Sequence, residues 1–582
     1  MKKIFSYLRP FAGAMSLGLF IKFIGTIMDL LLPWILAYII DTAAPRQDAP
    51  QIWMWGGVML VCSILAVVTN IWANRMASRV ARDSVRTLRR DLFEKTIRLS
   101  GRQIDSLTIP SLEARLTTDT YQVHQMIGMM QRLGVRAPIL LIGGILVTMT
   151  LEPVLSLTLV CILPFIALVV WQVSRKGVPL YTRLQQGVDG LIRVIRENIT
   201  GIRVVKALSK GDYEKRRFDG ANKSVAEMER KAAATMALTN PLMNALLNLG
   251  LTLVIIVGAF RVNLGISQPG KIIAFLSYFT IILNAMMIMT RLFVMYSRGS
   301  ASASRIAEVL DLPEELAVIP DQAAPGAAPG EPAHIAFDHV SFSYNGRRDT
   351  LTDISFTLRR GETLGIIGAT GSGKSTLLNL LMRLYDASGG EIRIDGRPIQ
   401  AIPKDALHTM FGVVFQHDAL FAETLSENID FGRGLPRETI EHAAQMAQAA
   451  EFIAALPDGL AHPLTSRGTN VSGGQKQRIL ISRALAGKPH ILILDDASSS
   501  LDYRTDAALR RALRENFSGV TTLIVAQRVS SILHADQILV LEHGAMLGLG
   551  THAQLMETCE LYREIYFSQM GGGANAESAA RR

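Results

Sequence analysis

The sequence predicts two kinds of structure in one chain: an all-α membrane domain of six transmembrane helices with long cytoplasmic helical extensions, and then a soluble α/β domain. Of the 582 residues, 49% are hydrophobic and 19% are charged, and the mean hydropathy is +0.26. This composition is too apolar for an ordinary soluble protein. The apolar residues form long runs in the first half, whereas short strand-like runs alternate with helical stretches in the second.

Six apolar runs in the first half predict helices that cross the roughly 30 Å of membrane hydrocarbon. The third run is short, but Glu152 and Pro153 mark a tight turn after it, and its helix can extend back past Arg136. The predicted spans are Phe11 to Ile40, Trp53 to Ala73, Ala137 to Thr150, Val154 to Trp171, Pro241 to Phe260 and Ile272 to Met289. The predicted organisation is a membrane domain over 1–312, an Ala-Pro-Gly-rich linker over 313–333, a soluble domain over 334–569 and a flexible tail over 570–582.

The distribution of charge predicts the topology. Asn74 to Arg136 carries twelve Lys and Arg against six Asp and Glu, and Gln172 to Lys231 carries fourteen against seven. Both segments are predicted to be cytoplasmic, as are both termini. They read as helical hairpins with tips near Ile109 to Leu116 and near Lys210 to Phe218. The net charge of +10 is attributed to these segments, so no nucleic-acid partner is expected.

Two features within the spans have two interpretations each. Lys22 and Asp29 lie seven residues apart on one helical face, and they are either functional groups or a pair that neutralises itself or sits at the interface. The run from Ala285 to Met289 either lines a site for apolar ligands or is ordinary helix packing. The three cysteines are too scattered for a metal site or a disulfide framework.

The soluble half contains seven short strand-like runs. They are Ile335 to Tyr344, Thr363 to Ile367, Glu391 to Ile394, Gly412 to Phe415, Ile491 to Leu494, Thr522 to Val525 and Gln537 to Leu541. Directly after the second run comes a P-loop, which predicts a P-loop NTPase. Its glycines let backbone N–H groups face a polyphosphate, its lysine reaches the β and γ phosphates, and its serine after the lysine binds Mg²⁺. The motif residues are Gly368, Ala369, Thr370, Gly371, Ser372, Gly373, Lys374, Ser375 and Thr376.

Two further motifs belong to the same domain. The strand Ile491 to Leu494 ends in Asp495 and Asp496, and an Asp at this position beside a P-loop is expected to contact Mg²⁺. Ser472, Gly473, Gly474 and Gln475 begin a helix and form a second anion site. One domain cannot easily fold both anion sites onto one nucleotide, so each site is predicted to complete a nucleotide bound on another copy.

These motifs, in this order and behind six spans with two basic cytoplasmic hairpins, resemble a half-transporter of the ATP-binding cassette (ABC) exporter family. The resemblance covers the chain except its linker and tail, and it implies ATP and Mg²⁺ as cofactors and a second half-transporter as partner. Tyr344 is then the aromatic residue that stacks on adenine, and Gln416 contacts Mg²⁺ and senses the γ-phosphate. Residues 472–475 bind the γ-phosphate of an ATP on the opposite subunit, Ser499 to Asp502 form the loop that crosses the interface, and the hairpin tips are coupling helices.

Two residues depart from the family pattern at positions that carry the chemistry. Asp496 stands where the family usually has Glu, and Gln527 stands where it has His. The shorter side chain withdraws its carboxylate by roughly an ångström, and misplacement of that size costs about 10²-fold in rate. Gln cannot carry a positive charge or shuttle a proton. The family's signature sequence, which includes residues 472–475, is intact apart from Val471, where the family usually has Leu. Ser466, just before it, stands at a position that is usually acidic in exporters.

This pattern resembles the degenerate-site subunit of a heterodimeric bacterial multidrug ABC exporter in the plasma membrane. The expected function is ATP-driven export of hydrophobic or amphipathic small molecules, with hydrolysis mainly at the partner's site. The alternatives are a homodimeric exporter of lipid or peptide, an ATP-gated channel and a regulatory membrane receptor. A soluble P-loop kinase fused to an anchor is disfavoured, because a kinase has no need of residues 472–475.

Overall fold

The computed structural model describes residues 2–313, 316, 318–319, 333–346, 348–416 and 418–570. These residues form two compact units. One unit is built from residues 1–97 and 110–312, and the other from residues 98–109 and 313–582. The limits predicted for the domains stay predictions. Most of the predicted linker, and the tail after residue 570, lie outside the described residues.

The first unit is helical and contains six helical stretches that are long and apolar enough to cross a membrane. The six predicted spans are therefore confirmed. The stretches are Lys3–Ala43, Ala49–Ile97, Ile109–Leu151, Pro153–Thr200, Gly211–Asn263 and Pro269–Leu310. The helices of this half of the chain, all in the first unit except α4, are α1 (Lys2–Leu8), α2 (Ala12–Tyr38), α3 (Ala49–Ile97), α4 (Gly101–Leu107), α5 (Ile109–Ala114), α6 (Thr120–Leu133), α7 (Arg136–Leu151), α8 (Pro153–Thr200), α9 (Ile202–Ala207), α10 (Gly211–Ala237), α11 (Thr239–Asn263) and α12 (Pro269–Leu310).

Helix α12 forms much of the membrane core. Phe275, Tyr278, Phe279 and Ile282 are buried, and the Tyr278 hydroxyl donates to the backbone carbonyl of Leu30 on α2. The neighbouring helices approach α12 through glycines. A Cβ on Gly144 of α7 would lie 2.7 Å from a side-chain carbon of Ile282. Small residues at such contacts let helices pack closely, which is the main source of helix association in lipid.

The polar residues of the spans find separate partners. The Lys22 ammonium donates to Asn74 Oδ1 at 3.0 Å, whereas Asp29 pairs with Arg136 at 3.0 Å. Mutual pairing of Lys22 and Asp29, one of the interpretations that the sequence leaves open, is therefore not seen, because each residue has a partner on a neighbouring helix, α3 or α7. Their functional and interfacial interpretations stay open. Met287 packs against the membrane core and Met289 is 39% exposed, so the methionine run keeps both of its interpretations.

The two helical hairpins turn earlier than predicted. The first turn carries α4, between the end of α3 at Ile97 and the start of α5 at Ile109, and the second carries α9, between Thr200 and Gly211. The predicted tips, near Ile109 to Leu116 and near Lys210 to Phe218, were placed too late. Gly and Pro in these ranges predict breaks in the helices, but Pro110 and Gly211 both lie in the first turn of a helix, where proline and glycine are tolerated.

The second unit contains two sheets. The six-stranded sheet has the order β10-β9-β3-β8-β7-β6, in which β9, β3, β8, β7 and β6 run parallel, and the four-stranded antiparallel sheet has the order β2-β1-β4-β5. The strands are β1 (Ile335–Phe342), β2 (Leu351–Leu358), β3 (Thr363–Gly368), β4 (Gly389–Ile394), β5 (Arg397–Pro398), β6 (Phe411–Val414), β7 (Ile491–Asp495), β8 (Thr521–Val525), β9 (Gln537–Glu542) and β10 (Ala545–Gly550).

All seven predicted strands are present, but β2, β5 and β10 were missed. In β2 the alternation of buried and exposed residues is broken at Asp353, whose φ is +54°. Such an irregularity weakens the period of two by which strands are recognised, although β1 is predicted despite a similar break at His339, whose φ is +49°. The helices of this unit are α13 (Lys374–Leu381), α14 (Lys404–Thr409), α15 (Leu425–Asp430), α16 (Arg437–Met446), α17 (Ala450–Ala454), α18 (Gly473–Ala486), α19 (Tyr503–Asn516), α20 (His552–Thr558) and α21 (Glu560–Met570).

The parallel sheet places the predicted functional segments together. Strands β3, β8 and β7 are neighbours, so their carboxyl ends meet at one edge of the sheet. The P-loop follows β3, Gln527 follows β8, and Asp495 and Asp496 lie at the end of β7. Ligands of open α/β sheets bind at this edge.

Candidate nucleotide site

The P-loop is shaped to face an anion. Gly371 and Gly373 have φ values of +82° and +102°, a conformation that favours glycine, and no atom lies within 4 Å of a Cβ built on Gly371. Lys374 is the first residue of α13, and its ammonium donates to the carbonyls of Gly368 and Ala369 at 2.8 Å each. Burial lowers the pKa of Lys374, while the nearby Asp495 and Asp496 oppose that shift. The loop thus holds a cation at the amino end of a helix.

The predicted Mg²⁺ ligands of the P-loop and of β7 are in contact. The Ser375 hydroxyl donates to Asp495 Oδ2 at 3.0 Å, and Asp495 is 5% exposed. Gln416, the third predicted ligand, is exposed two residues after β6, and its side chain makes no hydrogen bond with the described part of the chain. The structure therefore brings two of the three predicted Mg²⁺ ligands together.

Tyr344 lies beside the P-loop helix. Its hydroxyl is 3.2 Å from the Thr376 hydroxyl, and its ring is 39% exposed. The ring packs edge to face against Phe342, with centroids 4.8 Å apart, and against Tyr385, with centroids 5.2 Å apart. A half-exposed aromatic ring held on two sides offers its free surface to a planar ligand.

Asp496 and Gln527 contact each other. The Gln527 side-chain amide donates to Asp496 Oδ2 at 3.0 Å. Asp496 has a φ of +52°, and its backbone N–H donates to the Val525 carbonyl, so its position is fixed by β8. Burial raises the pKa of the Asp496 carboxyl, and the charges of Lys374 and Arg528 oppose that shift. One oxygen of the carboxylate is thus engaged by an uncharged amide.

The signature segment is a capped helix start. Ser472 is the N-cap of α18, where its hydroxyl accepts from the Gln475 N–H at 3.3 Å and its own N–H donates to Gln475 Oε1 at 2.9 Å. A Cβ on Gly474 would lie 3.2 Å from the carbonyl oxygen of Ser500, so the predicted interface-crossing loop packs against this turn. In the described residues no hydrogen bond joins residues 472–475 to the P-loop, and the two separate anion sites stay a prediction.

Two contributors to the site were not predicted from the sequence. Tyr385 connects Tyr344 to α4, because its hydroxyl donates to Asp105 Oδ2 at 2.7 Å. Burial, and to a smaller extent this hydrogen bond, raise the pKa of the Tyr385 hydroxyl. Gln569, on α21, hydrogen-bonds the backbone on both sides of Arg528. Neither belongs to a motif, and only their contacts in the fold identify them.

The residues present fit ATP and Mg²⁺. The buried Ser372 hydroxyl in the P-loop has no hydrogen-bond partner in the described structure, so the chain itself leaves one polar group of the loop unsatisfied. The hydroxyl of Ser375 and the carboxylate of Asp495 are hard oxygen donors of the kind that Mg²⁺ prefers. When bound, Mg²⁺ would neutralise charge on the β and γ phosphates. The roles of the individual residues stay predictions.

Comparison with known proteins agrees with both units. The family model of the ABC transporter transmembrane region matches residues 15–286, and the ABC transporter model matches residues 351–499. The chain is 36% identical over 576 residues to the uncharacterized ABC transporter ATP-binding protein YfiB of Bacillus subtilis, covering 98% of this chain and 99% of that one. It is 29% identical over 580 residues to the ATP-dependent lipid A-core flippase of Legionella pneumophila, covering 99% and 97%.

A solved structure is similar over nearly the whole chain. It is that of a bacterial Atm1-family ABC exporter with ATP bound, which matches with a TM-score of 0.81 and 25% sequence identity. The match covers 97% of this chain and 99% of that one. The likeness therefore includes the membrane helices as well as the α/β domain.

Proposed function

Because the chain belongs to the ABC transporter family and is an exporter-type half-transporter, which acts as a dimer in a membrane, we propose that it forms a heterodimer. In this heterodimer its own ATP site hydrolyses slowly, and its signature segment completes the hydrolysing site of a different partner. The transported molecules are hydrophobic or amphipathic small molecules. The heterodimer lies in the bacterial inner membrane, with both termini and the nucleotide domain in the cytoplasm.

The hydrogen bond between Gln527 and Asp496 is the observation that carries this proposal. A general base must be free to accept a proton from the attacking water, and it contributes about 10² to 10⁴ to the rate. Asp496 is short for this task, and one of its oxygens accepts from an amide that cannot relay a proton. ATP at this site is therefore held by Lys374, Ser375 and Asp495 but turned over slowly.

The partner's role follows from the signature segment, residues 472–475, which keeps the family's residues. Ser472 and Gln475 fix the start of α18, and the N–H groups of Gly473 and Gly474 are left to a γ-phosphate bound across the interface. A partner with Glu and His at the positions of Asp496 and Gln527 would supply the chemistry that this chain lacks. Two such interfacial sites close on ATP, and the hairpins transmit the closure to the spans.

The ATPase activity of the native complex tests this proposal. The tagged chain is purified from its native membranes with its copurifying half-transporter and reconstituted in lipid vesicles. Asp496→Asn is expected to change turnover little, whereas Ser472→Ala is expected to lower it about 10²-fold, the cost of losing a donor to a transition-state oxygen. Thr551→Ala is the matched control, because Thr551 and Gln554 cap α20 in the same way as Ser472 and Gln475 cap α18.

Three outcomes would contradict the proposal or part of it. Equal losses in Asp496→Asn and Ser472→Ala would mean that this chain's own site hydrolyses ATP. Copurification of identical copies with rapid turnover would favour the homodimeric lipid exporter, which the flippase similarity makes the second candidate. Failure of sealed vesicles to accumulate substrate against a gradient would favour an ATP-gated channel or receptor.

A further inference from the structure

A single side-chain amide holds the segment that carries Gln527. Gln569 Nε2 donates to the backbone carbonyl of Gln527 at 2.8 Å, and Gln569 Oε1 accepts from the backbone N–H of Val529 at 2.7 Å. The two backbone groups flank Arg528, so the amide bridges the segment that follows β8. Both hydrogen-bonding atoms of one residue are therefore used on one short loop, which we call the switch segment (residues 526–529).

The helix that carries Gln569 is itself firmly held. Tyr562 of α21 is fully buried, and its hydroxyl is 2.9 Å from His552 Nδ1 on α20. Gln569 follows Tyr562 by seven residues, which is about two helical turns, so both lie on the same face of α21. That face packs on an apolar cluster that includes Val529 and Ile532, both buried. Gln569 itself is exposed near the end of α21, so its amide is placed by the packing of the preceding turns and by its two hydrogen bonds to the backbone.

The bridge acts on the nucleotide site through the backbone. The side chain of Gln527 reaches Asp496 at 3.0 Å, and its starting point is the backbone whose carbonyl Gln569 holds. A displacement of that backbone moves the Gln527 amide away from Asp496. Groups one step removed from a reacting centre commonly act in this way, by fixing the orientation of those that contact it.

We propose that Gln569 is a positioning residue of the ATP site, which couples the carboxyl-terminal helix α21 to the switch segment. The inference rests on the proposed function in one respect, because it takes the P-loop cluster as the place where ATP binds. It adds that retention of ATP at this site depends on a residue outside every nucleotide motif. Gln569 contacts neither the nucleotide nor the reacting atoms in this account.

Hydrogen exchange and ATP release in the full chain test the inference. The native complex in lipid nanodiscs is compared with Gln569→Ala, and Ser568→Ala serves as the control, since Ser568 is exposed on the same helix. Gln569→Ala is expected to speed exchange of the Val529 amide about fivefold, the effect of one lost hydrogen bond. Exchange within α21 should stay unchanged, and release of Mg-ATP should become about fivefold faster.

Two substitutions separate the parts of the bridge. Gln569→Glu keeps an acceptor for the Val529 N–H but places a carboxylate oxygen against the Gln527 carbonyl, so Val529 should remain protected while ATP release quickens. Gln527→Ala leaves both backbone bonds intact, so Val529 should also remain protected.

The outcomes distinguish this inference from the proposed function. Unchanged Val529 exchange and unchanged ATP release in Gln569→Ala would overturn the inference. Faster exchange throughout α21 would overturn it too, since Gln569 would then only stabilise the helix. Failure of the unsubstituted complex to retain ATP on this chain would instead contradict the proposed function.

Discussion

The chemistry of Asp496 and Gln527 depends on backbone conformation as well as on side-chain type. Asp496 occupies the left-handed region, which a non-glycine residue enters at some cost and which is common at functional sites. The turn directs its carboxylate toward the switch segment, where Gln527 binds it. The sequence was sufficient to single out both residues as departures from the family pattern. Their mutual hydrogen bond was not predictable, because it depends on the register of β7 against β8.

Restoring the two family residues should activate this chain's own site. In Asp496→Glu combined with Gln527→His, the carboxylate gains the missing methylene and the switch segment gains a group that can carry a proton. We expect ATP turnover by the chain's own site to rise about 10²-fold, the contribution of a correctly placed general base. Each single substitution should give much less, because the two residues act as a unit.

Single-turnover hydrolysis of ATP by the purified full chain measures this effect. Adding Lys374→Ala to the double variant is the control, and it should abolish the gain by removing the ammonium of the P-loop. A double variant that is no faster than the unsubstituted chain would show that another feature of the site limits hydrolysis.

At the scale of elements, α4 is the part of the first hairpin that belongs to the soluble unit. The Gly101 N–H donates to the Leu384 carbonyl at 3.2 Å, and the ring of Tyr385 covers Gly101 so closely that a Cβ there would lie 2.5 Å from Cζ. The sequence predicted the hairpin and its helices but not the position of its tip. Pro and Gly also occur at helix starts, so these residues alone do not locate the tip. The tip is located by the start of α4, which the side chain of Ser100 caps.

Gly101→Ala should therefore weaken the packing of α4 against Leu384 and Tyr385. We expect a loss of about 1–3 kcal/mol in the free energy of unfolding, the usual cost of overpacking, together with reduced stimulation of ATPase activity by transported substrate. Gly190→Ala is the matched control, since Gly190 lies in the interior of α8 with no atom within 4 Å of its added Cβ. That change should be neutral or slightly stabilising.

Thermal unfolding of the full chain in nanodiscs, followed by substrate-stimulated ATPase, measures both effects. Equal behaviour of Gly101→Ala and Gly190→Ala would mean that the close contact with Tyr385 has no energetic importance.

At the scale of the whole molecule, the chain divides as its composition predicted. Apolar runs identified all six spans because about 20 successive apolar residues have few uses outside a membrane. Short strand-like runs identified seven strands, whereas β2, in which a residue of positive φ interrupts the alternation, was not among them. Motifs named the nucleotide residues, whereas Tyr385 and Gln569 required the fold. What the sequence could not supply are contacts between segments that lie far apart along the chain.

The excess of Lys and Arg in the two hairpins predicts the orientation of the chain, and cysteine labelling in whole cells can test it. The loop between α2 and α3 and the loop between α11 and α12 should face outward, while the hairpin turns should face the cytoplasm. Arg46 and Lys210 are exposed in a loop of each class. In a background with Cys62 and Cys161 replaced and the buried Cys559 retained, Arg46→Cys should react with a membrane-impermeant maleimide in intact cells.

Lys210→Cys should react only after the cells are opened, and the background chain should react in neither case. The two positions lie in loops that are predicted to face opposite sides of the membrane. Together they therefore report on the orientation of the membrane domain rather than on one loop. Labelling of Lys210→Cys in intact cells would mean that the orientation is the reverse of the predicted one. The nucleotide site would then lie outside the cell, where ATP is absent. The proposed function would then fail together with the topology.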